Sequence, residues 1–182
     1  NVVSAARLDR PDPEFAMQAF PAGSPEWYRL QEPTRDAAND PERSRFVVIN
    51  EIMPEPLVGQ KGEFVEFHNY GEAPVDLSGW RVEDGVDFVF PSGSEVQPGG
   101  FVVIASDGEF MRAQYANISV AGEFEGVISN GGERIRLIDA DGNLADEVDF
   151  KVEGDWPTLA AGQGSSLELI HPEMDNNRAS AW

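Results

Sequence analysis

The feature that most constrains the fold is a series of short β-like runs, separated by turn-forming residues, that begins at residue 46. The predicted strands are residues 46–52, 63–70, 80–83, 87–90, 101–105, 133–138, 144–150 and 166–170. Asp-Gly at 84–85 and the run DADGN at 139–143 predict hairpin turns. Only residues 108–115 have a helical pattern, about two turns long. Short strands with so little helix predict a β-sandwich or barrel and exclude doubly wound α/β folds.

Residues 1–45 differ from the rest of the chain because their apolar residues are scattered among Pro, Arg and Asp. Residues 33–44, PTRDAANDPERS, are typical of a linker. We therefore expect two parts, an extended N-terminal arm over 1–45 and an all-β domain over 46–182. The sequence begins at Asn1 without a targeting segment and ends at Trp182, which we interpret as an excised piece of a longer protein.

The chain is strongly acidic, and this excludes one class of partner. Its 13 Lys and Arg stand against 33 Asp and Glu, which gives a formal net charge of −20. Nucleic acids are not expected as partners, because their binding needs a cationic patch that displaces counterions from phosphates.

The absence of cysteine excludes disulfides, zinc thiolate sites and thiol catalysis. Membrane insertion is not expected, since no apolar run approaches the roughly 18 residues of a spanning helix.

Nine short motifs follow one another between residues 46 and 182. In chain order they are INEI (49–52), GEFVEFHN (62–69), VDLSGW (75–80), FP (90–91), VQPGGFVV (96–103), SNGGERIRL (129–137), DADGN (139–143), GSSLEL (164–169) and DNN (175–177). Their order and spacing resemble the lamin tail domain in its bacterial form. This resemblance covers about three quarters of the chain.

The resemblance implies an immunoglobulin-like β-sandwich with Greek-key connections. On such a fold Trp80 is expected to fill the space between the sheets, where a tryptophan buries about 150–250 Å². The loop at 129–132 is expected to need positive φ, which glycine allows. Arg134 and Arg136 are expected to pair with acids on neighbouring strands. Eukaryotic lamin tails are known to bind nucleic acid, but the dispersed basic residues of this chain do not predict it here.

The arm has a second, looser resemblance. Residues 15–39 resemble the closing strand and exit linker of a preceding lamin tail domain, although Ala22 and Arg35-Asp36 depart from that pattern. An orphan strand of this kind is expected to add to a sheet edge or to exchange between molecules. The alternative is an arm without fixed structure. The sequence does not determine the oligomeric state.

No catalytic residue is predicted. A nucleophile elbow of the form Gly-x-Ser-x-Gly is absent, and the two histidines, His68 and His171, have no metal-binding spacing. Both are interpreted as structural, His68 in a strand and His171 in a turn. Neighbouring acids are frequent in so acidic a chain and alternate toward solvent, so they do not by themselves predict a catalytic pair.

Calcium is the one cofactor that the sequence suggests. Asp139, Asp141 and Asn143 supply oxygen ligands at alternate positions, as calcium loops do. The same residues are those that a hairpin turn requires, so a purely structural role is the alternative. A second, weaker calcium candidate combines Asp155 with the residues at 175–177.

The resemblance implies a non-catalytic structural or interaction module of a larger, exported bacterial protein. Its expected partners are a protein or a cell-surface polymer, contacted through loops or sheet edges. The aromatic residues Trp27, Tyr28 and Trp156 are the candidate contacts, although Trp156 also suits packing. An extracellular or cell-surface location follows from the resemblance alone. The alternatives are a calcium-dependent surface or carbohydrate-binding module and, third, an accessory domain that completes a hydrolase site.

Overall fold

The computed structural model describes residues 46–182 and, in the arm, the strands β1 (Ala16–Ala19) and β2 (Trp27–Leu30). These two strands pair antiparallel, with Ala16 opposite Leu30 and Ala19 opposite Trp27. The rest of the predicted arm lies outside the described residues. The domain boundary after residue 45 and the relation of the arm to a preceding domain therefore stay predictions.

Residues 46–182 form two five-stranded sheets that enclose one hydrophobic core. Sheet I contains β3 (Val47–Met53), β4 (Phe64–Asn69), β9 (Phe101–Ala105), β10 (Val120–Glu123) and β14 (Leu167–Glu168), in the order β10-β9-β4-β3-β14. Sheet II contains β6 (Arg81–Asp84), β7 (Val86–Val89), β11 (Glu125–Gly126), β12 (Gly132–Ile138) and β13 (Leu144–Lys151), in the order β11-β7-β6-β12-β13. A further antiparallel pair joins β5 (Val75–Asp76) to β8 (Glu95–Val96).

The connections between the strands give the sandwich its topology. Neighbouring strands of both sheets pair antiparallel, except for β9 and β10, which are parallel. The hairpins β3–β4, β6–β7 and β12–β13 alternate with crossings from one sheet to the other. This arrangement confirms the predicted immunoglobulin-like, all-β sandwich.

The predicted helix is also confirmed, as α1 (Gly108–Gln114). It begins after Asp107, whose side chain accepts a hydrogen bond of 2.8 Å from the backbone N–H of Phe110. Three 3₁₀ turns complete the helical content of the described residues, at Gln60–Gly62, Thr158–Ala160 and Ala179–Ala181. The sequence does not predict β5, β8, β10 or β11, because these strands of two to four residues show no alternation and lack the Asp-Gly turn that identifies the equally short β6 and β7.

The core lies between the inward faces of the two sheets. Alternation along β4 places Val65 and Phe67 in it, and Trp80 is only 3% exposed, which confirms its predicted position. The other large, fully buried side chains are Ile49, Ile52, Leu77, Phe90, Ile104, Met111, Ile128, Ile135, Leu137, Phe150 and Leu167. Gly132 at the start of β12 has φ 98°, and a Cβ there would clash with the carbonyl oxygen of Phe150, so the predicted need for positive φ in this loop is confirmed.

A β-bulge in β3 determines which of its side chains face outward. The register with β4 shifts between Ile49 and Glu51, so that Asn50 is the extra residue. Ile49 and Ile52 both point into the core, whereas Glu51 lies between them on the outward side. With uninterrupted alternation Glu51 would share the inward face of Ile49. The bulge therefore moves a carboxylate out of the core and onto the outer face.

The C-terminal segment, residues 170–182, covers an otherwise open strand edge. Asn177 accepts a hydrogen bond of 2.8 Å from the backbone N–H of Asp149 through Oδ1, and its Nδ2 donates to the carbonyl oxygen of Glu147 at 3.2 Å. One amide side chain thus supplies to β13 the donor and the acceptor that a neighbouring strand would supply. The indole Nε1 of Trp182 donates to the carbonyl oxygen of Asn176 at 2.7 Å.

Asp146 joins this segment to both sheets. Its Oδ2 accepts hydrogen bonds from the backbone N–H of Ile49 on β3, at 2.7 Å, and from Nδ2 of Asn176, at 2.8 Å. Burial raises the pKa of Asp146 to about 6, although these hydrogen bonds act in the opposite direction. We call Asp146, Ile49 and Asn176 the Asp146 junction.

Candidate functional site

The outer face of sheet I carries an open groove of about 430 Å³. Strands β3, β4 and β9 contribute its floor, α1 and the residues after it contribute one side, and the residues leading into β14 contribute the other. It is lined by Glu51, Met53, Phe64, Glu66, Val103, Met111, Tyr115, Ile118, Gly164, Ser165, Ser166 and Glu168. We call it the glutamate groove.

Three glutamates cross this groove in a row, one from each of three adjacent strands. Glu66 on β4 is directly opposite Glu51 on β3, and Glu51 is directly opposite Glu168 on β14. Neighbouring strands lie about 4.8 Å apart, so the three carboxylates are close neighbours on one face. Glu51 and Glu66 are half-buried and Glu168 is exposed.

Hydrogen bonds from polar neighbours hold two of these carboxylates. Nδ2 of Asn50, the bulge residue, donates to Oε1 of Glu66 at 2.9 Å, and the Ser166 side chain is hydrogen-bonded to Glu51. Burial nevertheless raises the pKa of both Glu51 and Glu66, and repulsion from the other carboxylates of the row raises it further. These hydrogen bonds therefore keep the carboxylates of the row in place although their negative charges repel one another.

The floor beside the row is apolar. Phe64, Val103 and Met111 belong to a small buried cluster that is separate from the main core. Met111 reaches it from α1, while Phe64 and Val103 are outward residues of β4 and β9. The half-buried Ile118 also packs against this cluster. The groove thus combines an apolar floor with a line of negative charge.

A second opening, of about 710 Å³, lies near the start of the domain. Phe46 and Tyr70 form its aromatic part, with ring centroids 5.5 Å apart and an edge-to-face geometry. The rest of its lining comes mainly from the loop at 71–76, together with Glu173. Its charged side chains, Glu72, Asp76 and Glu173, are also acidic, but no strand pairing aligns them with one another, so the glutamate groove is the more distinctive site.

Comparison with known families gives one match. A family model described as the Lamin Tail Domain matches residues 41–151, which is more than half of the chain. The chain belongs to the lamin tail domain family. A search among curated proteins found no match.

The lamin tail domains are a family of non-enzymatic, immunoglobulin-like domains. His68 lies on the outer face of β4, where its ring stacks on Phe101 with centroids 4.3 Å apart. Burial lowers the pKa of His68. Nδ1 of His171 accepts a hydrogen bond of 3.3 Å from the backbone N–H of Glu173, within a turn. The two imidazoles occupy the strand and turn positions that the sequence predicts for them.

The calcium candidates of this lamin tail domain lie in the hairpin between β12 and β13. Asp139 is only 7% exposed, and its Oδ1 accepts hydrogen bonds from the backbone N–H groups of Asp141, at 3.0 Å, and Asn143, at 2.7 Å. Its Oδ2 accepts a bond of 2.9 Å from Nδ2 of Asn143. The structure therefore brings the three residues together around Asp139, which closes the turn. Calcium binding there stays a prediction.

Within residues 46–182 and the two arm strands, no group of three or more His, Cys, Asp or Glu side chains is arranged to hold a metal ion. The weaker calcium candidate uses Asp175 within its own turn, where Oδ2 accepts a bond of 2.8 Å from Nε of Arg178. Among the helices of the same residues, none is long and apolar enough to cross a bilayer.

Of the aromatic candidates, Trp156 is described in full and does not line the glutamate groove. Trp156 is half-buried against the main core, and its ring lies 6.2 Å from that of Trp182. Trp27 and Tyr28 belong to β2, and their side chains lie outside the described residues. Whether any of the three contacts a partner stays a prediction.

Sequence reasoning missed the glutamate row. Alternation within β4 identifies Glu66 as outward, and that signal is readable. The position of Glu51 depends on the bulge at Asn50, and the position of Glu168 depends on the register of a two-residue strand. Neither can be read from periodicity.

Proposed function

We propose that this lamin tail domain is a non-catalytic interaction module that binds a protein partner through the glutamate groove. The observation that carries the proposal is the groove itself, an open cleft on a sheet face with an apolar floor and a charged row. Apolar surface supplies affinity, and fixed charges select the partner. We further propose that the module serves a larger, exported bacterial protein, as the family resemblance suggests, in protein–protein or cell-surface attachment.

The acidic surface supports a protein partner over a nucleic acid. Residues 46–182 carry 25 of the 33 acidic residues but only 7 of the 13 basic ones. On sheet II the arginines are already paired, since Nε of Arg134 lies 2.9 Å and NH1 of Arg136 lies 3.6 Å from Oδ2 of Asp84. The predicted pairing of these arginines is thereby confirmed, and it leaves them unsuited to contact phosphates.

A random-peptide display library selected on the full chain tests the proposal. The matched variants are Ser165→Trp, whose ring would fill the groove from its rim, and Val89→Trp, which adds the same ring to an exposed position of sheet II. We expect selected peptides to bind the wild type and Val89→Trp equally and to lose binding to Ser165→Trp. Peptides that bind all three proteins alike, or an absence of selected peptides, would refute the proposal.

The alternative is a calcium-dependent surface or carbohydrate-binding module, in which Asp139, Asp141 and Asn143 hold the ion. A thermal melt in EDTA and in millimolar Ca²⁺ separates the two functions. A calcium site at a hundredfold excess over Kd would stabilise the fold by about 2.7 kcal/mol. Because Asp139 already accepts three hydrogen bonds from its own turn, we expect no rise beyond that given by Mg²⁺.

A further inference from the structure

We infer that the glutamate groove recognises an extended protein segment that presents one arginine between apolar residues. This inference deepens the proposed function and rests on it. It names the chemistry of the partner, which the existence of a groove alone leaves open.

The first argument is the composition of the lining. Glu51, Glu66 and Glu168 are its charged side chains, and no Lys, Arg or His is among the residues that line the groove. Lys61 and Arg112, the basic residues near α1, are used elsewhere: Nζ of Lys61 lies 4.6 Å from the ring centroid of Phe110, and Arg112 donates to the carbonyl oxygen of Val120. A cationic occupant is therefore complementary in charge.

The second argument is the other sheet of the same molecule. On sheet II, Arg136 of β12 is directly opposite Glu83 of β6 on one side and Glu147 of β13 on the other. That row has the same three-strand geometry as the row of Glu66, Glu51 and Glu168, with an arginine at its centre in place of a glutamate. By register the fold thus places one arginine between two cross-strand glutamates, while the ion pair of Arg136 is with Asp84, at 3.6 Å, and that of Glu83 is with Arg81, at 2.8 Å.

The third argument is the shape of the ligand. A guanidinium is planar and has five N–H donors, so it can bridge two carboxylates on adjacent strands, whereas an ammonium acts as a point charge. Above the buried floor, the half-buried Met53 and Ile118 and the exposed Tyr115 also line the groove and offer apolar surface to the methylene stem of arginine and a neighbouring apolar side chain. An extended backbone is expected because the groove lies across a sheet face with Ser165 and Ser166 on its rim.

The test uses a displayed library of peptides about nine residues long, in which the central position is restricted to Arg, Lys, Gln or Glu and the flanks are random. We expect central arginine to be enriched over glutamine by at least about tenfold, the ratio that about 1.4 kcal/mol provides. Replacing that arginine by citrulline, its neutral counterpart, in the best synthetic peptide is expected to weaken binding by a similar factor. Affinity for the arginine peptide is expected to fall as NaCl is raised.

Matched variants assign the effect to the row. Glu51→Gln and Glu66→Gln keep the shape of the side chain and remove its charge, and each is expected to weaken the arginine peptide several-fold. Glu83→Gln makes the same change on sheet II and is expected to leave binding unaltered. Circular dichroism and melts verify that all three variants fold.

The outcomes separate the inference from the proposed function. If Ser165→Trp abolishes binding but central Gln or Glu is selected as often as Arg, or citrulline binds as well, the inference is wrong and the proposed function stands. If Glu83→Gln weakens binding as much as Glu51→Gln, the inference is also wrong, because the charge of the row is not responsible. If no peptide is selected through the groove, the proposed function itself fails.

Discussion

The two outer faces of the sandwich are built from the same strand pattern but carry their charge differently. On sheet II, Glu83, Arg136 and Glu147 follow one another across three strands, and Asp84 pairs with two arginines. On sheet I the corresponding row contains glutamates alone, next to a groove with an apolar floor. The difference lies in the central residue of each row.

This difference indicates how the two faces are used. On sheet II the arginines have counter-charges within the sheet, because Arg81 pairs with Glu83 and both Arg134 and Arg136 pair with Asp84. Like charges on adjacent strands repel, and burial raises the pKa of Glu51 and Glu66 still further. A chain of this charge could place an arginine at position 51 as it does at position 136. Retaining a repulsive row beside a groove is consistent with a binding role.

The largest expected effect concerns the Asp146 junction, where the two sheets meet. Because the pKa of Asp146, about 6, exceeds the ordinary 3.8, the folded chain binds a proton at this carboxyl group more tightly than the unfolded chain does. The free energy of unfolding therefore falls by about 3 kcal/mol as the pH rises from below 3.8 to well above 6. Asp146→Asn, which keeps an acceptor oxygen for Ile49 and Asn176, is expected to flatten this dependence.

Chemical denaturation across this pH range measures the effect, with Asp149→Asn, an exposed change on the same strand, as the control. Burial also raises the pKa of several other carboxyl groups, which act in the same direction: Glu51, Glu63, Glu66, Glu133 and Asp139. A steady gain in stability from pH 4 to pH 7 would contradict the prediction. An unchanged profile in Asp146→Asn would show that these five carboxyl groups are responsible instead.

The next effect is on sheet II, where Arg136→Glu would convert its row into a copy of the glutamate row. The variant loses the contact with Asp84 and places like charges directly opposite on both sides. We expect a loss of about 1–2 kcal/mol in the free energy of unfolding at pH 7. The control is Arg178→Glu, which breaks the exposed pair with Asp175 and is expected to change stability less. Equal losses in the two variants would mean that the cross-strand row contributes no more to the free energy of unfolding than the exposed pair does.

The converse change, Glu51→Arg, would give sheet I the pattern of sheet II. It places a cation between Glu66 and Glu168 and is expected to stabilise the fold by up to about 1 kcal/mol. Under the binding inference the same variant no longer takes arginine peptides, because the intramolecular guanidinium occupies the row. If Glu51→Arg folds normally but has a lower free energy of unfolding than the wild type, the two rows are not equivalent.

The smallest effect is the response to salt. Raising NaCl from about 20 mM to about 500 mM shortens the screening length several-fold and should stabilise this chain by a few tenths of a kcal/mol. Because part of that gain comes from screening the glutamate row, we expect it to be smaller in Glu51→Arg than in the wild type. A melt at each salt concentration measures the difference, and identical gains would assign the effect to the overall charge of −20.

The sequence predicts the sandwich well because each main strand carries its own local signal. The pattern of residues 108–115 predicts the helix α1, the alternation within β4 separates Val65 and Phe67 from its outward residues, and the motif that ends in Trp80 predicts that ring in the core. The glutamate groove depends on non-local geometry: the bulge at Asn50 and the pairing of Glu168, far along the chain, with Glu51. Periodicity reports which residues face outward, but it does not report which outward residues become neighbours.

The short strand β14 also has a consequence for a molecule under tension. It pairs antiparallel with β3, so the chain enters β3 and leaves β14 at the same end of the pair. Pulling on the two ends of the chain therefore opens this ladder one hydrogen bond at a time, as a zip, instead of loading all its bonds together in shear. The bonds of Asn176 and Asn177 to β13 bear the force before the ladder does. Resistance to stretching, which is set by the rate of unfolding, would reside in the side-chain amides of this segment.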